Sequence, residues 1–212
     1  MEFKKFNRYA IYLLSLFFIS LGASLSIKAN LGTAPLICIP NVCSLISHLS
    51  VGTVTFVFNL ILIISQILIL RSNFEKRQLL QIVMGTIFSV FIDFTLALVS
   101  FVNPQDYISQ IIVLLISCVV IAWGVLLEIK TEVVYLPADG FIYSISKFLN
   151  KEFAKVKPYV DTTMVAIAIV LSFVFLGYLA GVREGTVISA IIIGPIVNFI
   201  KGYADPVIDS LI

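Results

Sequence analysis

The chain has 212 residues, 60% of them hydrophobic and only 12% charged, with a mean hydropathy of +1.09. Soluble domains carry about 25% charged residues, so a water-facing globule is excluded and lipid is the expected solvent. The net charge of +2 is scattered over short polar segments rather than gathered into a basic stripe, which excludes a nucleic-acid interface.

The first apolar run follows MEFKKFNR. It is too long for the apolar core of a signal peptide and ends at Lys28 rather than at a small-residue cleavage site, so it reads as a retained span. Five more runs reach the roughly 20 residues needed to cross a bilayer as a helix. The six expected spans are about 8–28, 52–70, 78–102, 107–129, 158–181 and 185–203. Two shorter semi-apolar segments, about 34–50 and 137–150, each open on a proline, Pro35 and Pro137. Neither is long enough to span, and both suit a re-entrant or interfacial helix.

Lysine and arginine favour cytoplasmic loops. With the N-terminus inside, only Lys28 and Arg183 of the 14 basic residues fall outside. This pattern requires six spans with both termini cytoplasmic, because a seventh crossing at either short segment would destroy it. The lipid bilayer is therefore the expected surroundings.

A stretch recurs at an offset of 102. Residues 22–35, GASLSIKANLGTAP, lie over residues 124–137, GVLLEIKTEVVYLP, with Gly22, Leu25, Ile27, Lys28 and Pro35 repeated as Gly124, Leu127, Ile129, Lys130 and Pro137. SVFIDF at 89–94 also lies over GPIVNF at 194–199, placing Asp93 opposite Asn198 at an offset of 105. Three spans separate the copies, so the second enters the membrane from the opposite side. The expected fold is an all-α membrane protein, a 3+3 inverted-topology repeat in one membrane domain, with residues 1–102 as one unit and 103–212 as the other.

Candidate site residues follow from this frame. Thr33 and Pro35 open one short segment, and Pro137, Asp139 and Gly140 open the other. Threonine and aspartate are good N-caps, and a helix N-terminus facing the interior suits an anionic group. Asp93 is the carboxylate deepest in an apolar run, roughly 22 and 14 Å from the expected boundaries at 1.5 Å per residue. A carboxylate there must be paired, protonated or turned inward, as the relay of a proton- or ion-coupled carrier would be. Asn59 and Asn198 are polar residues within spans, able to bond across helices or to face a solute. Lys157 and Asp161 stand four apart and can pair on one helix face. Lys28, Glu128 and Lys130 sit at span ends, where interfacial anchoring is expected. Gly177 and Gly181 have the small-xxx-small spacing of close helix approach, and Gly194-Pro195 would loosen the last span. Cys38, Cys43 and Cys118 read as small apolar filler rather than a disulfide framework.

No Walker A loop, nucleophile elbow, HExxH or metal-ligand cluster occurs, so neither an enzyme nor a cofactor or metal is expected.

At these residues the chain resembles the YczE/YyaS/YitT family of bacterial integral membrane proteins. The resemblance is carried by ANLGTAP at 29–35, PADG at 137–140, the Lys157/Asp161 pair and GTVISAIIIGP at 185–195. Where that family is glycine-rich in the second copy, this chain has Glu132, Val133, Val134 and Tyr135. The resemblance implies a multi-pass protein of the bacterial inner membrane. The expected function is a small secondary transporter of a small polar or anionic solute, working by alternating access as one repeat rocks against the other. The alternative is a non-transporting module that captures a substrate for, or assists, a membrane partner. A homo-oligomer is compatible with either.

Overall fold

The computed structural model describes residues 2–211, and every regular element among them is helical. In chain order the helices are α1 (Glu2–Lys28), α2 (Pro35–Ser47), α3 (Val51–Leu70), α4 (Leu80–Leu98), α5 (Tyr107–Thr131), α6 (Pro137–Leu149), α7 (Phe153–Leu176) and α8 (Glu184–Leu211). Six of them, all but α2 and α6, are long and apolar enough to cross a membrane, the build of a multi-pass membrane protein. At 13 residues, α2 and α6 reach only about 20 Å, too short to span.

Local chemistry sets the helix ends. Ser50 caps α3 by accepting from the Thr53 N–H, and Asp106 caps α5 by accepting from the Ser109 N–H at 2.8 Å. Those bonds from Ser109 hold the Asp106 carboxyl below its usual range. Pro35 and Pro137 take the first positions of α2 and α6, where a missing N–H costs nothing. Left-handed residues close the C-termini: His48 after α2, Glu132 after α5, Asn150 after α6 and Gly177 after α7.

These ends correct three expectations. Gly177 (φ +77°) and Gly181 (φ +70°) lie in the loop beyond α7, not within a span, so their spacing brings no helices together. The fifth span begins at Phe153 rather than 158, which places Lys157 and Asp161 inside the helix. The third ends at Leu98, only five residues beyond Asp93, so that carboxylate lies about 8 Å from the helix end rather than 14 Å. Helix α8 runs on through Gly194-Pro195.

The packing is built on α1 and α5, which run against each other, with α4 laid on α1 and α8 on α5. A second group forms beside this one: α2 packs on α7 and α3, and α6 packs on α3 and α7. Helices α3 and α4 join the two groups along their length, whereas α7 and α8 make no comparable contact.

The α1–α5 crossing is glycine-dependent on both sides. A Cβ on Gly22 would lie 2.5 Å from Ile121 Cγ1 and 2.9 Å from the Ser117 carbonyl. A Cβ on Gly124 would lie 2.6 Å from Ile19 Cγ1 and 2.9 Å from the Ser15 carbonyl. Ser15, Ile19 and Gly22 are thus related to Ser117, Ile121 and Gly124 by the same offset of 102 that relates the repeated stretches. Around the crossing, Tyr12, Leu16, Ile37, Phe88, Ile92 and Leu136 form one buried apolar cluster drawn from α1, α2, α4 and the turn before α6.

Candidate solute site

The site is organised by the opening turn of α6. Proline at its first position fixes the backbone but leaves the preceding Leu136 N–H to be satisfied from elsewhere. Glu128, one turn before the end of α5, supplies the acceptor: its Oε1 lies 2.9 Å from the Leu136 N–H. The Glu128 side chain is turned inward and only 5% exposed. It is therefore not the interfacial anchor its position near a span end implies.

Asp139 lies in the first turn of α6, where a carboxylate is favoured by the helix dipole. It is not the N-cap. That position belongs to Leu136, and the Asp139 Oδ1 instead accepts from Lys157 Nζ at 2.8 Å. Lys157 also meets Asp161 Oδ2 at 3.7 Å. The expected Lys157/Asp161 pair is formed, but the shorter bond reaches across to α6. Glu128 lies within electrostatic reach of both Asp139 and Lys157. Two carboxylates thus pair with one ammonium, and Glu128 acts on it from farther off. Glu128 is sealed off, while the Asp139 and Asp161 side chains are 22% exposed and that of Lys157 is 43% exposed.

Polar side chains from α3 and α4 close the opposite flank. Gln66 on α3 and Gln81 on α4 are fully buried and exchange amide hydrogen bonds at 3.0 and 3.2 Å. Gln66 Nε2 also donates to the Pro137 carbonyl at 3.1 Å. The paired amides press on Gly140, where a Cβ would lie 2.8 Å from both of them, so this position excludes a side chain. Asn59 is 7% exposed and its Nδ2 has no partner; it lies beside Gly85, which also faces the Pro137 ring. Tyr12 on α1 is fully buried, its hydroxyl is likewise unpartnered, and Glu128 and Asp139 both act on it electrostatically. Two unsatisfied buried groups beside a charged cluster are unusual, since each costs about 1–3 kcal/mol.

On the accessible flank Tyr135 stacks between Tyr143 and Phe153, with ring centroids 5.6 and 6.3 Å away. The Lys157 ammonium stands 6.0 Å from the Phe153 centroid. Burial, then Tyr143 and Asp139, hold the Tyr135 phenol above its usual range, so it is neutral at physiological pH. Among the described residues no group of three or more His, Cys, Asp or Glu side chains is placed to hold a metal ion.

The model of a family of unknown function, DUF6198, matches residues 6–202. The chain is a DUF6198 protein. No curated protein and no solved structure matches it.

In this DUF6198 chain the remaining candidate residues lie elsewhere. Thr33 does not cap α2, which begins after Ala34 without a side-chain cap. Its N–H and hydroxyl both donate to the Gly181 carbonyl, at 3.0 and 3.1 Å, tying the turn before α2 to the loop after α7. Pro35 follows in the first turn of α2, where its carbonyl accepts from the Cys38 thiol at 3.0 Å. Asp93 is not a bare carboxylate: its Oδ1 accepts from the Gly52 N–H and its Oδ2 from the Ser50 hydroxyl, both at 2.7 Å. It closes the N-terminus of α3 from α4. Asn198 lies on an exposed face of α8. Cys38, Cys43 and Cys118 are all free thiols.

Four residues of the DUF6198 site escape a reading of the sequence: Glu128, Tyr12, Gln66 and Gln81. A signal for the first existed. Ser26 stands where the second stretch has Glu128, a polar-for-charged difference inside strings identical at five of fourteen positions. The two glutamines stand in apolar stretches but 15 residues apart, and only the α3–α4 hairpin makes them partners.

Proposed function

We propose that this protein is a small secondary transporter whose solute site is the cluster of Glu128, Asp139, Lys157 and Asp161, with Tyr12 and Asn59 as its unsatisfied polar groups. One observation carries the reading: a carboxylate as buried as Glu128 facing a charged network at a broken helix end. Charges at membrane depth are costly and mark solute or ion pathways, and a helix end within a membrane persists only where protein or a polar cavity satisfies it.

The charge balance favours a cationic solute over the anionic one expected from the helix ends. Glu128 and Asp139 already compensate the positive end of α6. Three carboxylates stand against one lysine, so the cluster has room for positive charge. A small organic cation or a proton supplies it, and the Tyr135–Tyr143–Phe153 stack offers aromatic faces that suit an ammonium group.

The pairing of helices supports the inverted 3+3 arrangement. Exchanging each helix of residues 1–102 for its equivalent maps α1–α4 onto α5–α8, and α2–α7 onto α6–α3. The same exchange maps the Gly22 contacts onto those of Gly124. Because the repeats interlock in this way, one rocking against the other would break the α1–α5 crossing. The packing favours a different pair of moving bodies, α1, α4, α5 and α8 against α2, α3, α6 and α7. Placement in a bacterial inner membrane, with cytoplasmic termini, rests on the family resemblance and on the lysine distribution.

The test is reconstitution of the purified chain in liposomes with a pH gradient, offering separate panels of small organic cations and anions. Gradient-driven cation uptake that falls at least tenfold in Glu128→Gln, with unfolding temperature retained, is expected. Anion uptake indifferent to Glu128→Gln would overturn the assignment of the site, and no flux of any panel member would overturn the transport reading.

A further inference from the structure

One pair of helices breaks the exchange. Helix α3 is packed on α4, whereas its equivalent pair, α7 and α8, stands apart. At the closed pair, Asp93 on α4 bonds the opening turn of α3 through Ser50 and Gly52. The approach is tight: a Cβ on Gly52 would lie 2.3 Å from the Ser89 carbonyl and 2.5 Å from the Asp93 carboxylate. At the parted pair the equivalent positions are all present. Ser50 and Gly52 correspond to Glu152 and Ala154 at an offset of 102, and Asp93 corresponds to Asn198 at 105. Glu152 holds the N-cap position of α7 as Ser50 holds that of α3, but its side chain makes no capping bond, and Glu152, Ala154 and Asn198 are all exposed.

Accessibility follows the same division. Lys157 and Asp161, beside the parted pair, are partly open, whereas their equivalents beside the closed pair, Thr55 and Asn59, are 2% and 7% exposed. With the lysine-based orientation, the closed pair is on the outer side and the parted pair on the inner side.

We propose that Asp93 with Ser50 and Gly52 is one of two alternating latches, and that Asn198 with the opening turn of α7 at Glu152 and Ala154 forms the other when the first is released. The inference rests on the transporter reading for its purpose, and on the broken exchange for its geometry. In the alternate state α7 closes on α8, and Asn198 Oδ1 accepts from the Ala154 N–H as Asp93 now accepts from Gly52. Asn198 is neutral, so its hold is the weaker. Ala154 carries the Cβ that Gly52 lacks, so the second closure is wider by a methyl group. The state described here, with the carboxylate latch shut, is therefore the favoured resting one. Asp93 acts in this scheme as a gate rather than a proton relay.

Disulfide cross-linking in membrane vesicles tests this, in a background with Cys38, Cys43 and Cys118 changed to serine. The pair Ser50→Cys with Asp93→Cys reports the first latch, and Glu152→Cys with Asn198→Cys the second. Both pairs are expected to cross-link. Adding Asp93→Ala to the second pair is expected to raise its cross-linking rate at least threefold, since releasing one latch favours the other. Asp93→Asn, which retains one acceptor, should give a smaller rise. Failure of the second pair to cross-link, or indifference of its rate to Asp93→Ala in a protein whose unfolding temperature is unchanged, would overturn the proposal and leave Asp93 a static cap. The readout needs no solute. Alternating cross-links without flux would sink the transport reading alone, and flux without the second cross-link would sink the latch alone.

Discussion

Gly22 and Gly124 are the residues on which the most packing depends. An alanine at either forces a methyl group into backbone atoms of the facing helix, which cannot move aside as a flexible side chain can. Overpacking of this kind costs about 1–3 kcal/mol. Gly194 is the internal control: a Cβ there meets nothing within 4 Å, and Gly→Ala in a helix interior gains about 0.5–1 kcal/mol. Thermal unfolding in detergent should show Gly22→Ala and Gly124→Ala lowering the midpoint by similar amounts and Gly194→Ala leaving it unchanged or higher. At this scale the sequence marks which residues are exceptional but not what they touch. Asp93 and Asn59 stand out as polar residues in apolar runs. That one bonds α3 while the other lacks a partner depends on helix crossings, which hydropathy does not encode.

Between elements, two arginines hold equivalent places. Arg77, before α4, donates from Nη2 to the carbonyl of Glu132 at 2.8 Å, and Arg183, before α8, donates from Nη1 to the carbonyl of Asn30 at 2.9 Å. Each acceptor is a left-handed residue just past the end of α5 or α1, with φ of 48° and 56°. Both staples are made in the same state, so they do not alternate as the latches do. They fix the α3–α4 and α7–α8 connections to the central helices. Arg77→Ala and Arg183→Ala should each cost about 1 kcal/mol, and the double variant their sum, because the sites share no partner; chemical denaturation in detergent measures this. Element existence was legible throughout: all six spans and both short helices occur where the apolar runs and prolines place them. The ends were less so. The fifth span was displaced because Gly177 stops α7 with left-handed geometry and the polar opening turns of α7 are helical despite their charge.

For the molecule as a whole, orientation is the property with the simplest check. Lys28 and Lys130 occupy matching places in the two repeats, so an inverted arrangement sets them on opposite sides of the membrane. An impermeant amine reagent applied to sealed right-side-out vesicles should modify Lys28 and spare Lys130 until the vesicles are opened; both residues reacting from one side would rule out the inversion. Lys130 also holds an ion pair with Asp205 at 3.1 Å, so its labelling should be slower than that of Lys28 even in opened vesicles. The charge pattern bears on this orientation because loops are sorted by sign. It could not carry the site, since Glu128 joins the site only when the turn before α6 brings the Leu136 N–H to its carboxylate.

The crossing of α1 and α5 has a meaning beyond stability. Ser15, Ile19 and Gly22 present a surface whose complement, Ser117, Ile121 and Gly124, is a second version of itself. Such a surface is isologous, the kind on which two identical subunits associate about a two-fold axis. The loop between Leu98 and Tyr107 places both faces on one chain, so the crossing forms within a single polypeptide. Glu128 opposite Ser26 departs from that likeness: a charge placed on one side only, which two identical surfaces would not carry.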